Sequence, residues 1–232
     1  GKVIVPWAIL VIMEWLSRRL SAGGRVEEIR GEPEAVAPPA VFYTDARASD
    51  EDAGIGGYLA VSPNLSECPW FSLEVDEILA PWLKVRGGKP KRVIAALELL
   101  ASLIAVKIWG KLCPSGFNGR MKAFTDNRGN AFALVKGMST KYPLTLLLME
   151  LAEELRCQDL RMDLEWVKRE ENEAADALSN GDWSSFDEKL RVEVKSGEIE
   201  WRILKEVQER SEDLYKEIQD LKEQKKLARS EE

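Results

Sequence analysis

Two apolar runs in this chain each end in an aspartate, and that pairing restricts the fold more than any other feature. Ala40, Val41, Phe42, Tyr43 and Thr44 lead into Asp45; Ala123, Phe124 and Thr125 lead into Asp126. Side chains alternate faces along a strand, so Asp45 points opposite to Thr44 and Ala46, and Asp126 opposite to Thr125. If the two strands are adjacent and parallel, both acids meet at one edge of a sheet. Two more acids stand in apolar settings. Glu98 is the only charge between Val93 and Val106, and Asp176 lies in the short helical segment from Asn172 to Leu178. A carboxylate in such a setting is costly unless a cation or a donor compensates it.

The rest of the pattern places these acids on a framework. Residues 40–48 and 53–61 read as strands joined by the turn 49–52, an antiparallel hairpin. Trp70 to Val75 reads as a third strand, Val93 to Gly110 as a helix, and Met121 to Thr125 as a fourth strand. Gly129 to Val135 and Leu144 to Arg156 read as helices. Leu160 to Val167 is a last strand, with alternating apolar Leu160, Met162, Leu164 and Trp166. A short helix follows from Glu173, with Asn172 placed to cap it. The order β-β-β-α-β-α-α-β-α predicts a mixed α/β fold: a five-stranded sheet with a meander, parallel crossovers and flanking helices. On the long helix, Ile94, Ala101 and Ala105 share a stripe with Glu98, which therefore faces the sheet.

Three regions are expected. Residues 1–39 carry an apolar helix and a Pro-rich linker (31–39), residues 40–186 the globular domain, and residues 187–232 a charged tail. The chain opens with Gly1, which reads either as the start of a fragment or as a cloning scar. The apolar run Val3 to Met13 is too short to span a membrane and is broken by Pro6 and Glu14. The tail holds 14 acids and 11 bases; Ile203, Val207, Leu214, Ile218 and Leu221 recur at helical spacing. It reads as an amphipathic helix, either solvated or self-associating through residues 198–228.

Composition narrows the chemistry. The chain has no histidine, which excludes a Ser-His-Asp or Cys-His triad and disfavours catalytic zinc. Cys68, Cys113 and Cys157 are far apart, so reduced thiols in an intracellular setting are expected rather than a disulfide framework. The net charge of −7 argues against broad non-specific nucleic-acid binding but leaves room for a local basic groove. Four gathered carboxylates need cations, and an all-oxygen ligand set selects Mg²⁺ or Mn²⁺. Two such ions about 3.5–4 Å apart can clamp the attacking and leaving oxygens of a phosphodiester. Arg47, Asn127 and Arg128 flank the strand acids and are candidate phosphate contacts, or else ordinary surface residues.

Over residues 40–183 the chain resembles the ribonuclease H family, most closely the domains on the C-terminal side of retroelement reverse transcriptases. The resemblance is carried by Tyr43-Thr44-Asp45, by Gly54 to Tyr58, by Ala96 to Leu100 around Glu98, and by Phe124-Thr125-Asp126-Asn127. It continues through Trp166-Val167, Arg169, Asn172, Ala175-Asp176 and Leu178-Ser179. It implies that Asp45, Glu98, Asp126 and Asp176 are catalytic metal ligands for two Mg²⁺ or Mn²⁺ ions. It implies cleavage of the RNA strand of an RNA–DNA hybrid, leaving 3′-hydroxyl and 5′-phosphate ends, beside or covalently linked to a polymerase in a polyprotein. An idle binding module and a DNA-directed nuclease are the alternatives. Many family members carry a histidine near the fourth acid, thought to aid product release; its absence here implies slow turnover.

Overall fold

The computed structural model describes residues 7–21, 38–80, 82–85, 90–112, 119–136, 139, 142–204 and 220. The chain divides into two compact units, Gly1–Ala35 with Val207–Glu232, and Val36–Glu206. In the first, the described residues form one helix, α1 (Trp7–Ser21), with Leu10, Met13, Leu16 and Leu20 exposed. The Pro-rich linker and most of the expected tail helix, with the self-association expected of it, lie outside the described residues. Among the described residues no helix is long and apolar enough to cross a membrane.

The second unit carries the expected α/β framework. Strands β1 (Ala40–Ala48), β2 (Ala53–Leu59), β3 (Trp70–Glu74), β4 (Arg120–Thr125) and β5 (Arg161–Trp166) form one sheet in the order β3-β2-β1-β4-β5. β1 to β3 pair antiparallel, while β1 with β4 and β4 with β5 pair parallel. The long connections carry helices because a parallel pair cannot be closed by a tight turn. These are α2 (Trp82–Val85), α3 (Ile94–Trp109), α4 (Arg128–Lys136) and α5 (Leu144–Cys157); α6 (Glu173–Ser179) follows β5.

α3 is the central helix. Every residue from Ala96 to Val106 is buried, so the helix is enclosed around its circumference, with β1 and β2 on one side and α5 on another. A helix apolar all round must be enclosed in this way. The alternation along β5 is kept for Leu160, Met162 and Leu164, which are buried, but Trp166 at the strand end is 38% exposed.

Residues 187–203, expected as the start of a helical tail, are instead short 3-10 turns and extended chain packed on the domain. Two anchors explain this. Trp70 donates its indole N–H to Asp187 O at 2.8 Å, and Val192 N donates to Trp70 O at 2.7 Å, so the segment covers the β3 edge that would otherwise be open. Further on, the wholly buried Glu150 accepts backbone N–H groups of Arg202, Ile203 and Leu204 at 2.6–3.1 Å. Lys107 meets Glu150 at 3.4 Å, Glu154 at 2.7 Å and Glu200 O at 2.7 Å. A buried carboxylate is tolerable only with such donors around it.

Candidate metal centre

The pairing of β1 with β4 runs from Ala40 opposite Met121 to Tyr43 opposite Phe124. Extending that register by two residues sets Asp45, inside β1, level with Asp126, just past the end of β4. Thr44 and Thr125 point the other way and are buried. Thr44 Oγ1 lies 2.9 Å from Ser102 Oγ of α3, which fixes the helix against β1 one turn beyond Glu98. Carboxylate oxygens of Asp45, Glu98 and Asp126 consequently lie within 4.8 Å of one another; the first two residues are buried and the third half-buried.

Crowding of charge and loss of water set the electrostatics. Burial, then the charges of Asp126 and Asp176, push the Asp45 carboxyl up to about 7. Burial likewise pushes Glu98 up to about 8; a hydrogen bond from Asn127 opposes this, and Asp126 and Asp45 add to it. Among the described residues no salt bridge reaches Asp45, Glu98 or Asp126. A cluster of hard oxygen donors short of cations fits a divalent ion of the Mg²⁺ or Mn²⁺ type better than a soft-ligand metal.

α6 reaches this centre because β2 has no side chains in its path. A Cβ on Gly56 would stand 2.5 Å from Ser179 N and 2.6 Å from Leu178 C, and one on Gly54 would strike Ser179 O. The helix lies on bare strand backbone, tied by Ser72 Oγ to Leu178 O at 2.6 Å. Gly56→Ala is expected to cost about 1–3 kcal/mol, since the methyl meets backbone that no side-chain rotation can relieve. Chemical unfolding checks this; wild-type stability would contradict the packing.

Asp176 stands beside the three acids rather than among them. Its Oδ1 accepts from Arg169 at 3.0 Å and its Oδ2 from Asn180 Nδ2 at 3.3 Å, while its charge raises the Asp45 pKa. Ser179 Oγ links the two elements, 2.9 Å from Asp176 O and 3.4 Å from Asp45 Oδ2.

The flanking residues divide. Arg47 is held by Asp52 at 2.7 Å and by Glu74, so it serves the β1–β2–β3 side of the sheet. Asn127 Oδ1 accepts Asn130 N at 3.1 Å at the start of α4. Arg128 is exposed and stacks 3.9 Å over the Trp166 ring. Asn172 does not cap α6 through its side chain; its Nδ2 donates to Thr44 O at 3.2 Å and pins β1 one residue before Asp45. Trp166, read from sequence as a core position, donates its indole N–H to Asp126 O at 3.0 Å. Arg169, Ser179, Asn130 and Trp166 were missed as site residues. All but Asn130 lie inside the motif text, but only the fold reveals their partners.

No protein-family model matches the chain, and no curated protein matches its sequence. Among solved structures it is similar to ribonuclease H1 of the halophilic archaeon Halobacterium salinarum, at 18% identity over 61% of this chain and 95% of that one, TM-score 0.42. It is also similar to LC11 ribonuclease H1 in complex with an RNA/DNA hybrid, at 16% identity over 62% and 96%, TM-score 0.47. Prototype foamy virus protease–reverse transcriptase matches at 18% identity over 67% of this chain but 22% of the viral one, TM-score 0.41. At these identities the likeness is one of fold. The strand order, the mixed pairing and the flanking helices form the five-stranded α/β fold of ribonuclease H type expected from the sequence.

Proposed function

We propose that this chain is a metal-dependent endoribonuclease that hydrolyses the RNA strand of an RNA–DNA hybrid. The observation that carries the reading is the convergence of Asp45, Glu98 and Asp126, from three separate elements, within 4.8 Å. Two divalent ions of the Mg²⁺ or Mn²⁺ type, when bound, would supply the activated water and stabilisation of the leaving oxygen. Asp45 of β1, Glu98 of α3, Asp126 just past β4 and Asp176 of α6 would hold them. The 3.0 Å contact with Arg169 keeps the Asp176 carboxylate at the rim. Arg128, braced on Trp166, offers an exposed cation to a backbone phosphate, and Asn127 lies beside it. Arg47, already doubly paired, is a poorer phosphate contact than its position in sequence suggests.

The domain bounds 40–186, an adjacent or linked polymerase, a retroelement polyprotein and an intracellular setting belong to the same proposal. The polymerase and polyprotein context rests on the motif resemblance, the bounds on the linker and the charged tail, and the setting on the scattered cysteines. The test incubates the full chain and Mg²⁺ with labelled hybrid, RNA duplex and DNA duplex. Cleavage confined to the hybrid's RNA, with 5′-phosphate ends, is the expected result. Cleavage of DNA duplex instead would favour a DNA-directed nuclease, and no cleavage with metal bound would favour an idle binding module.

A further inference from the structure

Among the described residues, Asn130 is an amide that touches both the backbone and the carboxylate of the acid-bearing helix. It is 1% exposed. Its Nδ2 donates to Ala95 O at 2.8 Å and lies 3.4 Å from Glu98 Oε2. Its backbone N–H donates to Asn127 Oδ1 at 3.1 Å, and Asn127 in turn hydrogen-bonds Glu98. The 2.8 Å contact with a carbonyl fixes which end of the amide is nitrogen, because an amide oxygen placed there would be repelled. Asn130 Oδ1 is buried with no partner among the described residues.

Nothing in ordinary helix packing asks for this residue. α4 has nine residues, and Asn130 sits in its first turn, where an alanine or valine would fill the space against α3 without burying an amide. A buried amide with an unsatisfied oxygen costs about 1–3 kcal/mol. Such a cost is characteristic of residues that orient a functional group. Glu98 has a long, flexible side chain, and its three rotatable bonds must be fixed if its oxygens are to face Asp45 and Asp126. The polar side chain of α3 on that side, Ser102, is taken up by Thr44 Oγ1 and the Glu98 carbonyl rather than the Glu98 carboxylate.

We infer that Asn130 is a positioning residue for Glu98: its amide ties the Ala95 carbonyl and the Glu98 carboxylate together and holds that carboxylate toward the two strand acids. The inference rests on the metal-centre reading above. Outer partners of this kind typically contribute 10–100-fold in metal affinity. Asn130→Ala removes the tie. Asn130→Asp keeps the size but replaces the donor with a second carboxylate, against both Ala95 O and Glu98. Asn64→Ala is the control, since Asn64 caps a 3-10 turn remote in sequence from the acids by accepting Ser66 N at 3.2 Å.

The experiment is calorimetric titration of Mn²⁺ into the full-length chain at pH 8, with thermal melts of the same samples. Mn²⁺ affinity is expected to fall roughly 10-fold or more in Asn130→Ala and further in Asn130→Asp, and to stay unchanged in Asn64→Ala even where that variant melts lower. In the hybrid assay kcat should fall in the Asn130 variants while KM holds. If wild-type protein binds Mn²⁺ and folded Asn130→Ala binds it equally well, Asn130 is a packing residue only. If wild-type protein binds no Mn²⁺, the metal-centre reading fails first. Should Asn130→Asp not fold, Asn130→Ala alone decides.

Discussion

Asp126→Asn is expected to lower hybrid cleavage by about a thousandfold or more, a larger loss than the ~10–100-fold that follows from removing an outer partner. The change keeps the side-chain shape and removes one charge from a centre in which Asp45 and Glu98 are already pressed toward their neutral forms. Metal binding needs ionised carboxylates, so losing one charge weakens attraction for a divalent ion directly. Asp45→Asn is expected to do the same. The fold should survive both changes, because the strand register is set by Ala40 to Tyr43 against Met121 to Phe124, upstream of either acid. In the metal-free protein each variant should be at least as stable as wild type, since each removes like-charge repulsion. The measurement is single-turnover cleavage of labelled hybrid together with circular dichroism and melting. A folded variant that cleaves within tenfold of wild type would sink the proposed chemistry.

Glu98→Gln is expected to stabilise the metal-free protein at alkaline pH and destabilise it, relative to wild type, once metal is added. Glu98 titrates near 8 in the folded state and in the ordinary glutamate range when unfolded. Between about pH 4 and 8 the folded protein therefore binds a proton that the unfolded chain has released. Stability falls as pH rises wherever the folded state binds more protons. The contribution of the protonated carboxyl is thus fully present below about pH 4 and lost as pH climbs through about 8; Asp45 acts alike with its loss centred near 7. Glutamine does not titrate. With chelator present, the two proteins should melt alike near pH 5, and the variant should melt about 5 °C higher near pH 8.5. Saturating Mn²⁺ should raise the wild-type melting temperature more than the variant's and reverse the order. Melting curves that run parallel across this range, with and without metal, would contradict the placement of Glu98 in the centre. The same linkage predicts that Mn²⁺ affinity of the wild type rises with pH between 6 and 8.5.

Most of the framework was legible because hydrophobic period and turn chemistry are local properties. β1 begins and ends where the pattern places it, at Ala40 and Ala48, and α3, α4 and α5 lie within one or two residues of their expected bounds. The inward aim of Glu98 followed from its sharing a stripe with Ile94, Ala101 and Ala105, and the common face of Asp45 and Asp126 from strand alternation. Other features were not legible, because they depend on contacts across long stretches of chain. Asn172 looks like a helix cap from its neighbours, yet its amide is taken by Thr44 O, 128 residues away. Arg47 looks like a free cation beside a site, yet the hairpin and β3 bring Asp52 and Glu74 to it. Residues 187–203 look like the start of a charged helix, yet Trp70, Glu150 and Lys107 offer better partners than helical hydrogen bonds would.

By itself, the order of residues determined which acids are out of place, which strand faces they occupy and the α/β class of the domain, because periodicity acts over a few residues at a time. Only the folded chain decided how those acids are grouped. It drew three within 4.8 Å, set the fourth aside on Arg169, and brought the amides of Asn127 and Asn130 to Glu98. Those distances follow from the depth at which α3 and α6 seat on the sheet, and that depth is fixed by the Thr44–Ser102 bond and the bare backbone of Gly54 and Gly56.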